Sequence, residues 1–289
     1  MASPSPNVLW VNGRFCSGDE PAISALDRGL TLGDGLFETM RAEKSRIFRL
    51  SQHLARLVRG AAVLELPLPP EEEIRSIMRK VMAQAGAARA VVRLTVTRGV
   101  DPGRGVGIPA QVTPSMVVRV TPFVPPSPEA YQAGYSAVIS TIRRNEASPL
   151  SRIKSCNYLD SVLARREAQL RGCDEAVMLN TQGQVACGSV ANLFAVKVGV
   201  LWTPPEEAGV LPGITRECLL ELAASLRLGI QVTTFELSFL RDADEAFLSN
   251  TIVSVMPLTK VDGRDIGSGK PGPVTLMLAE AYQRALQNM

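Results

Sequence analysis

Histidine is almost missing from this chain of 289 residues: there is one, His53. The five cysteines, Cys16, Cys156, Cys173, Cys187 and Cys218, are odd in number, scattered, and form no CxxC pair. These scarcities argue against a zinc site and against a disulfide framework, so no metal is expected. A reducing cytoplasm is the economical location. No apolar run approaches the ~20 residues that a membrane span needs. The opening MASPSPNVLW lacks the cationic-then-apolar order of a signal peptide, so none is expected. Thirty-one Lys+Arg stand against 28 Asp+Glu, a net charge of +3. With that near balance, and no basic run interleaved with aromatics, a nucleic-acid partner is not expected.

What is present is a large apolar fraction, 46% of residues, enough for two domains or one large one. Asn12-Gly13 between VLWV and RFC predicts a hairpin, because both turn positions need positive φ. Gly29, Gly33 and Gly35 predict a tightly bent loop before a strand from Leu36 to Met40. Residues 50 to 64 read as an amphipathic helix with Leu50, Leu54, Leu57, Ala61 and Leu64 on one face. On that helix His53 and Arg56 are surface neighbours. A second helix is expected over Glu71 to Ala85, then strands over Ala90 to Thr97 and Ser115 to Thr121. The Gly/Pro-rich loop between those strands carries Arg98 and Arg104, residues suited to an anion.

The Pro-rich stretch TPFVPPSPEAY can continue neither sheet nor helix and reads as a linker. It sets an expected boundary near residue 125: an N-terminal α/β domain over 1–125 and a strand-dominated domain over 126–289. In the second part EAVML and GQVACGS are expected to pair, LFAVKVGVLWTP to form a hairpin, and IQVTTFEL and EAFLSN to be strands. A closing helix is expected from about Pro273 to Leu286.

The stretch SRIKSCNYLDSVLARREAQLRG carries the clearest chemistry. Leu159, Val162, Leu163 and Leu170 recur near helical spacing, with Arg165, Arg166 and Glu167 off that face. Lys154 lies where a loop or strand meets this helix. An amine held out of water there loses its charge and can attack a carbonyl. Further on, Pro212-Gly213 precedes a helix, so Gly213, Ile214 and Thr215 fall at its N-terminus, where backbone N–H groups favour phosphate. Thr251 begins a turn that can add a hydroxyl and an N–H. Arginine forks suit phosphate as well, which singles out Arg56. Lysine for an aldehyde and these groups for a phosphate together suit pyridoxal 5'-phosphate (PLP), an electron sink for amino-acid carbanions.

Several ordered motifs, DRGLTLGDGLFETMR, QHLARL, TRG…GRG, KSCNYLDSVLARREA, GQV…ANLF, GVLPGITRECLLELA and SNT…VMP, resemble the class IV aminotransferases, the fold-type IV PLP enzymes. That family includes branched-chain and D-amino-acid aminotransferases and aminodeoxychorismate lyase. The resemblance implies a two-domain α+β or α/β fold with a C-terminal barrel-like domain, and a homodimer. It implies that Lys154 is the Schiff-base lysine and proton shuttle. Arg56, Gly213, Ile214, Thr215 and Thr251 would then hold the phosphate, and Tyr158 would lie near the phenolic oxygen. Phe37 would line the substrate pocket and Arg104 would meet the substrate carboxylate. The implied activity moves an amino group between an amino acid and a 2-oxo acid. A lyase releasing 4-aminobenzoate and pyruvate is an alternative. Where the family carries a glutamate for the pyridine nitrogen, this chain has Cys187. Three readings of that departure are a weaker sink, a substitute carboxylate such as Glu38, or diminished catalysis.

Overall fold

The computed structural model describes residues 7–288 except Asp19, Pro21 and Arg104. The chain divides into two compact units, one of residues 7–124 with 153–157, the other of residues 125–152 with 158–288. Lys154 therefore belongs to the first unit, and the helix that follows it to the second.

The first unit is a six-stranded antiparallel sheet backed by two helices. Its strands are β1 (Val8–Val11), β2 (Arg14–Cys16), β3 (Gly35–Glu43), β4 (Arg46–Ile47), β5 (Arg89–Thr97) and β6 (Ser115–Pro122), in the order β2-β1-β6-β5-β3-β4. A single turn, α1 (Arg28–Thr31), precedes β3. The turn between β1 and β2 has Asn12 at φ 45° and Gly13 at φ 101°, the left-handed pair that a two-residue hairpin requires. Helices α2 (Leu50–Leu64) and α3 (Glu71–Ala85) cover one face of the sheet. Leu54, Leu57 and Ala61 from α2, and Ile74, Met78 and Val81 from α3, pack on Leu36, Met40, Val92, Leu94 and Val118. These alternate strand residues point to one face.

The second unit begins with α4 (Pro128–Ala133), so the expected linker contains a helical turn capped by Ser127. Its strands are β7 (Tyr135–Ile139), β8 (Glu175–Leu179), β9 (Val185–Gly188), β10 (Asn192–Lys197), β11 (Val200–Thr203), β12 (Gly229–Val232), β13 (Glu245–Asn250), β14 (Ser254–Val261) and β15 (Arg264–Asp265). Six of them, β10-β13-β14-β7-β8-β9, form a ring that returns to β10. The ring closes on one residue pair, Asn192 with Cys187. The remainder of that β10 edge pairs with β11, and β12 lies parallel beyond it. Val177, Val185, Leu193, Ala195, Leu248, Met256 and Leu258 form a common core. Helices α5 (Leu159–Leu170), α6 (Ile214–Ser225), α7 (Leu237–Arg241) and α8 (Pro273–Gln287) complete the unit.

Two expectations change. The strand expected over 230–237 stops at Val232, and α7 begins at Leu237. More telling, α5 does not bury its apolar stripe: Leu159 and Leu170 are 74% and 77% exposed, and Val162 and Leu163 are also exposed. It buries Ser161, Ala164 and Ala168 instead. Small residues let the helix lie close to β8, where Ala164 and Ala168 share a cluster with Ala176 and Met178. Arg165 locks that orientation by donating to Glu175 Oε2 at 2.7 Å, to Ser189 Oγ at 3.1 Å and to the Asp174 carbonyl.

Candidate active site

In the first unit, residues 153–157 lie against the start of β3. Leu36 and Ser155 form an antiparallel bridge. Phe37 N–H donates to the Lys154 carbonyl, and Cys156 N–H to the Gly35 carbonyl, both at 2.9 Å. Gly35 is required at this junction, since a Cβ there would come within 2.7 Å of the Val96 carbonyl oxygen. The backbone contact carries the lysine side chain to Phe37: Lys154 Nζ is 4.4 Å from the ring centroid. The Arg93 guanidinium lies 3.8 Å from the same centroid. Arg93 pairs with Thr39 across β3 and β5, which puts its side chain on the Phe37 face.

Opposite that face, Glu38 points to α2. Its Oε1 accepts from Arg56 Nε at 2.8 Å; its Oε2 accepts from Arg56 Nη2 at 2.6 Å and meets His53 Nδ1 at 2.7 Å. Burial alone would raise the Glu38 carboxyl, but Arg56 and His53 outweigh it and hold it down to about 2. Burial pushes the His53 imidazole below its ordinary value despite Glu38. The neutral ring therefore donates its Nδ1–H to Glu38. Lys154 is pushed from 10.5 down to about 7, chiefly by desolvation, then by the Arg56 charge, with Arg93 adding to it and Glu38 opposing. An amine so placed is substantially uncharged at neutral pH.

The expected substitute role of Glu38 does not survive this geometry, because Arg56 and His53 claim both its oxygens. Arg98 is not an anion ligand either. It is buried and donates to Asp34 Oδ2 at 2.7 Å and to the Leu64 and Glu65 carbonyls at 2.6 and 3.0 Å. Arg104 lies outside the described residues.

The second unit holds the other candidate residues. Helix α6 starts at Gly213 with no side-chain cap, and Ile214 and Thr215 are buried in its first turn. A Cβ on Gly213 would sit 1.9 Å from Asn192 Oδ1, so only glycine leaves the helix start where it is. Asn192 is itself held by a 2.9 Å bond from its Nδ2 to the Leu211 carbonyl. Thr215 Oγ1 lies 3.4 Å from the Tyr282 hydroxyl on α8. Thr251 opens a turn organised by Asn250, whose Oδ1 accepts from the N–H groups of Ile252 and Val253, each at 2.8 Å. Tyr158 stands half-buried at the N-cap of α5.

Cys187, Asn192, Ser249 and Val255 form one cross-strand row. The Ser249 hydroxyl in that row is buried without a hydrogen-bond partner. Burial raises the Cys187 thiol above its ordinary value; Arg144 opposes and Glu175 adds to the rise. It is a neutral thiol at neutral pH and supplies no carboxylate. Glu175 is the buried carboxylate beside this row, but it is committed to Ser189, Arg165 and the Ala176 N–H.

Considered singly, each unit offers parts that fit an aldehyde cofactor with a phosphate: a depressed amine and an arginine in the first, an uncapped helix start and an orphaned buried hydroxyl in the second. The sequence reading missed Arg93, Asn250 and Asn192. Arg93 had a signal, a cation in the middle of the alternation of RAVVRLTVT. The two asparagines act through contacts that no local pattern announces.

A family model described as amino-transferase class IV matches residues 35–261. The chain is 30% identical over 290 residues to the branched-chain-amino-acid aminotransferase of Escherichia coli K12, covering 98% of this chain and 94% of that protein. It is 29% identical to the D-alanine aminotransferase of Staphylococcus haemolyticus, covering 97% and 98%. Among solved structures it superposes on the branched-chain amino acid aminotransferase of Thermoproteus uzoniensis with norvaline at a TM-score of 0.89, with 31% identity over 97% of this chain and 95% of that one. Another solved branched-chain amino acid aminotransferase that it matches holds pyridoxamine 5'-phosphate.

Proposed function

The chain belongs to the class IV aminotransferases, which are PLP-dependent enzymes, and from that premise we propose that it moves an amino group between an amino acid and a 2-oxo acid through Lys154. The observation that carries this reading is the Lys154 amine, held at about 7 against the Phe37 ring. When bound, PLP supplies the electron sink that makes the substrate Cα proton labile. Lys154 would hold the aldehyde carbon of the cofactor, and its amine is the group that would take the substrate Cα proton and return it. A group with a pKa near the working pH does both. Arg56, Gly213, Ile214, Thr215 and Thr251 are the residues that would hold the phosphate, and Tyr158 the one that would serve the phenolic oxygen. Phe37 and Arg93 flank the substrate, with Arg93 as a carboxylate partner; Arg104 is a second such partner.

Cys187 is a neutral thiol at the position where the family resemblance implies a glutamate for the ring nitrogen. The reading therefore includes a weaker electron sink and slower turnover.

The protein acts as a homodimer. Leu26, Leu30, Val100, Val106 and Ile108 of the first unit are exposed apolar side chains suited to a second copy. No helix among the described residues is long and apolar enough to cross a membrane. The cysteines are thiols rather than disulfides, which suits a cytoplasmic protein.

The test is an absorbance spectrum of PLP-loaded protein before and after borohydride, with mass spectrometry of the Lys154 peptide. A phosphopyridoxyl group fixed at Lys154 is expected, as is conversion of bound cofactor to pyridoxamine phosphate when an amino acid is added. Pyruvate released from aminodeoxychorismate without any acceptor would assign a lyase instead. Absence of either turnover, with cofactor bound, would make the protein a binding homologue.

A further inference from the structure

Glu38 has no part in the chemistry above, yet it is fully buried at the back of the lysine cluster. It follows Phe37 on β3 and faces α2, where Arg56 and His53 stand three residues apart on one side of the helix. The Arg56 fork meets it through Nε and Nη2 at 2.8 and 2.6 Å, a two-point contact that fixes the guanidinium plane. His53 holds the same carboxylate from a second direction at 2.7 Å. An arginine tethered by one bond could swing; one gripped at two atoms by an anchored carboxylate cannot.

The electrostatic arrangement gives Glu38 a second task. Arg56 and Arg93 are the cations that act on the Lys154 amine, and Glu38 is the anion that offsets them. Left uncompensated, the two guanidinium groups would oppose protonation of the amine further.

We propose that Glu38 is a positioning residue for phosphate and amine together: clamped by His53, it aims Arg56 and supplies the negative charge that balances the cations beside Lys154. The aiming part rests on the assignment of Arg56 to the cofactor phosphate; the balancing part does not.

The experiment uses the full chain stripped of cofactor, in wild type, Glu38→Gln and His53→Phe. Pyridoxal 5'-phosphate and pyridoxal are titrated separately. Lys154 labelling by an amine reagent is followed against pH by mass spectrometry. In Glu38→Gln the affinity for pyridoxal 5'-phosphate is expected to fall about ten- to a hundredfold and that for pyridoxal by less than about twofold. The Lys154 midpoint is expected to move to lower pH. His53→Phe moves both in the same direction by less, and takes the place of Glu38→Gln if that variant does not fold. A folded variant that keeps both the ratio of the two affinities and the midpoint overturns the proposal. A wild type that does not distinguish pyridoxal 5'-phosphate from pyridoxal rejects the phosphate assignment of Arg56. The midpoint shift then still decides the balancing role.

Discussion

Phe37 and Lys154 are joined twice, by a 2.9 Å bond from the Phe37 N–H to the Lys154 carbonyl and by the 4.4 Å approach of Nζ to the ring. The first fixes where the lysine leaves the backbone; the second fixes where its amine ends. Phe37→Leu keeps the first and removes the second. A cation over a ring is worth about 0.5–2 kcal/mol. The Lys154 ammonium should lose that support, so its labelling midpoint falls below the wild-type value. An unchanged or raised midpoint would show that the ring contributes nothing to the charge state.

Replacing the amine itself is the direct test of its role. Lys154→Ala should lower the rate of each half-reaction by at least about a thousandfold, the upper range of what a positioned acid–base group contributes. Single-turnover kinetics with an amino acid, and separately with a 2-oxo acid, measure both halves. A loss in only one half would contradict a shared proton carrier.

The depressed lysine also has a signature in stability. Its value is about 7 in the folded protein against an ordinary 10.5, so between those limits the unfolded chain binds a proton that the folded protein does not. Folding is penalised in full below about 7, and the penalty fades as pH rises toward 10.5. Cofactor-free wild type should therefore gain stability relative to Lys154→Met between about pH 7 and 10. Urea unfolding at several pH values measures the gap; a gap that stays constant across the window contradicts the burial of the amine.

Gly213→Ala places a methyl where Asn192 Oδ1 already lies, 1.9 Å away. Either the asparagine or the start of α6 must move. A cost of about 1–3 kcal/mol is expected, as for other overpacked sites. Weaker binding of pyridoxal 5'-phosphate should accompany it, while pyridoxal is less affected. Denaturant titration and the two binding curves report these separately.

Helix α5 gives a test of packing alone. Ala168→Leu drives a larger side chain into the contact with β8 and should cost about 1–3 kcal/mol. Leu159→Ser, on the exposed side, should change stability by less than about 0.5 kcal/mol. The opposite ranking would restore the face that apolar spacing suggests.

Much of the local structure was readable from sequence. The Leu50–Leu64 and Glu71–Ala85 helices and the Asn12-Gly13 turn declare themselves through periodicity and turn chemistry. Helix α5 was legible as a helix but not in orientation. Spacing marks an apolar stripe without saying whether Leu170 or Ala168 meets the sheet, and Arg165 decides it through tertiary bonds. Lys154 stood out because a helix start follows it. Arg93 did not, since its role exists only once β5 is laid beside β3, and Glu38 was visible only as a spare carboxylate until α2 brought Arg56 and His53 to it. Cys187 was visible as a departure, but its surroundings, apolar and beside an already engaged Glu175, required the fold.

The short visit of Ile153–Asn157 to the first unit sets a rule for dissecting this protein. A fragment ending at residue 124 would retain Glu38, His53 and Arg56 but would lack the amine whose charge Arg56 and Glu38 influence. The edge of Leu36 and the Gly35 carbonyl would also lose the segment that covers them. Ribosomal synthesis meets the same constraint: until Lys154 has emerged, the nascent amino-terminal half lacks the amine that lies over the Phe37 ring.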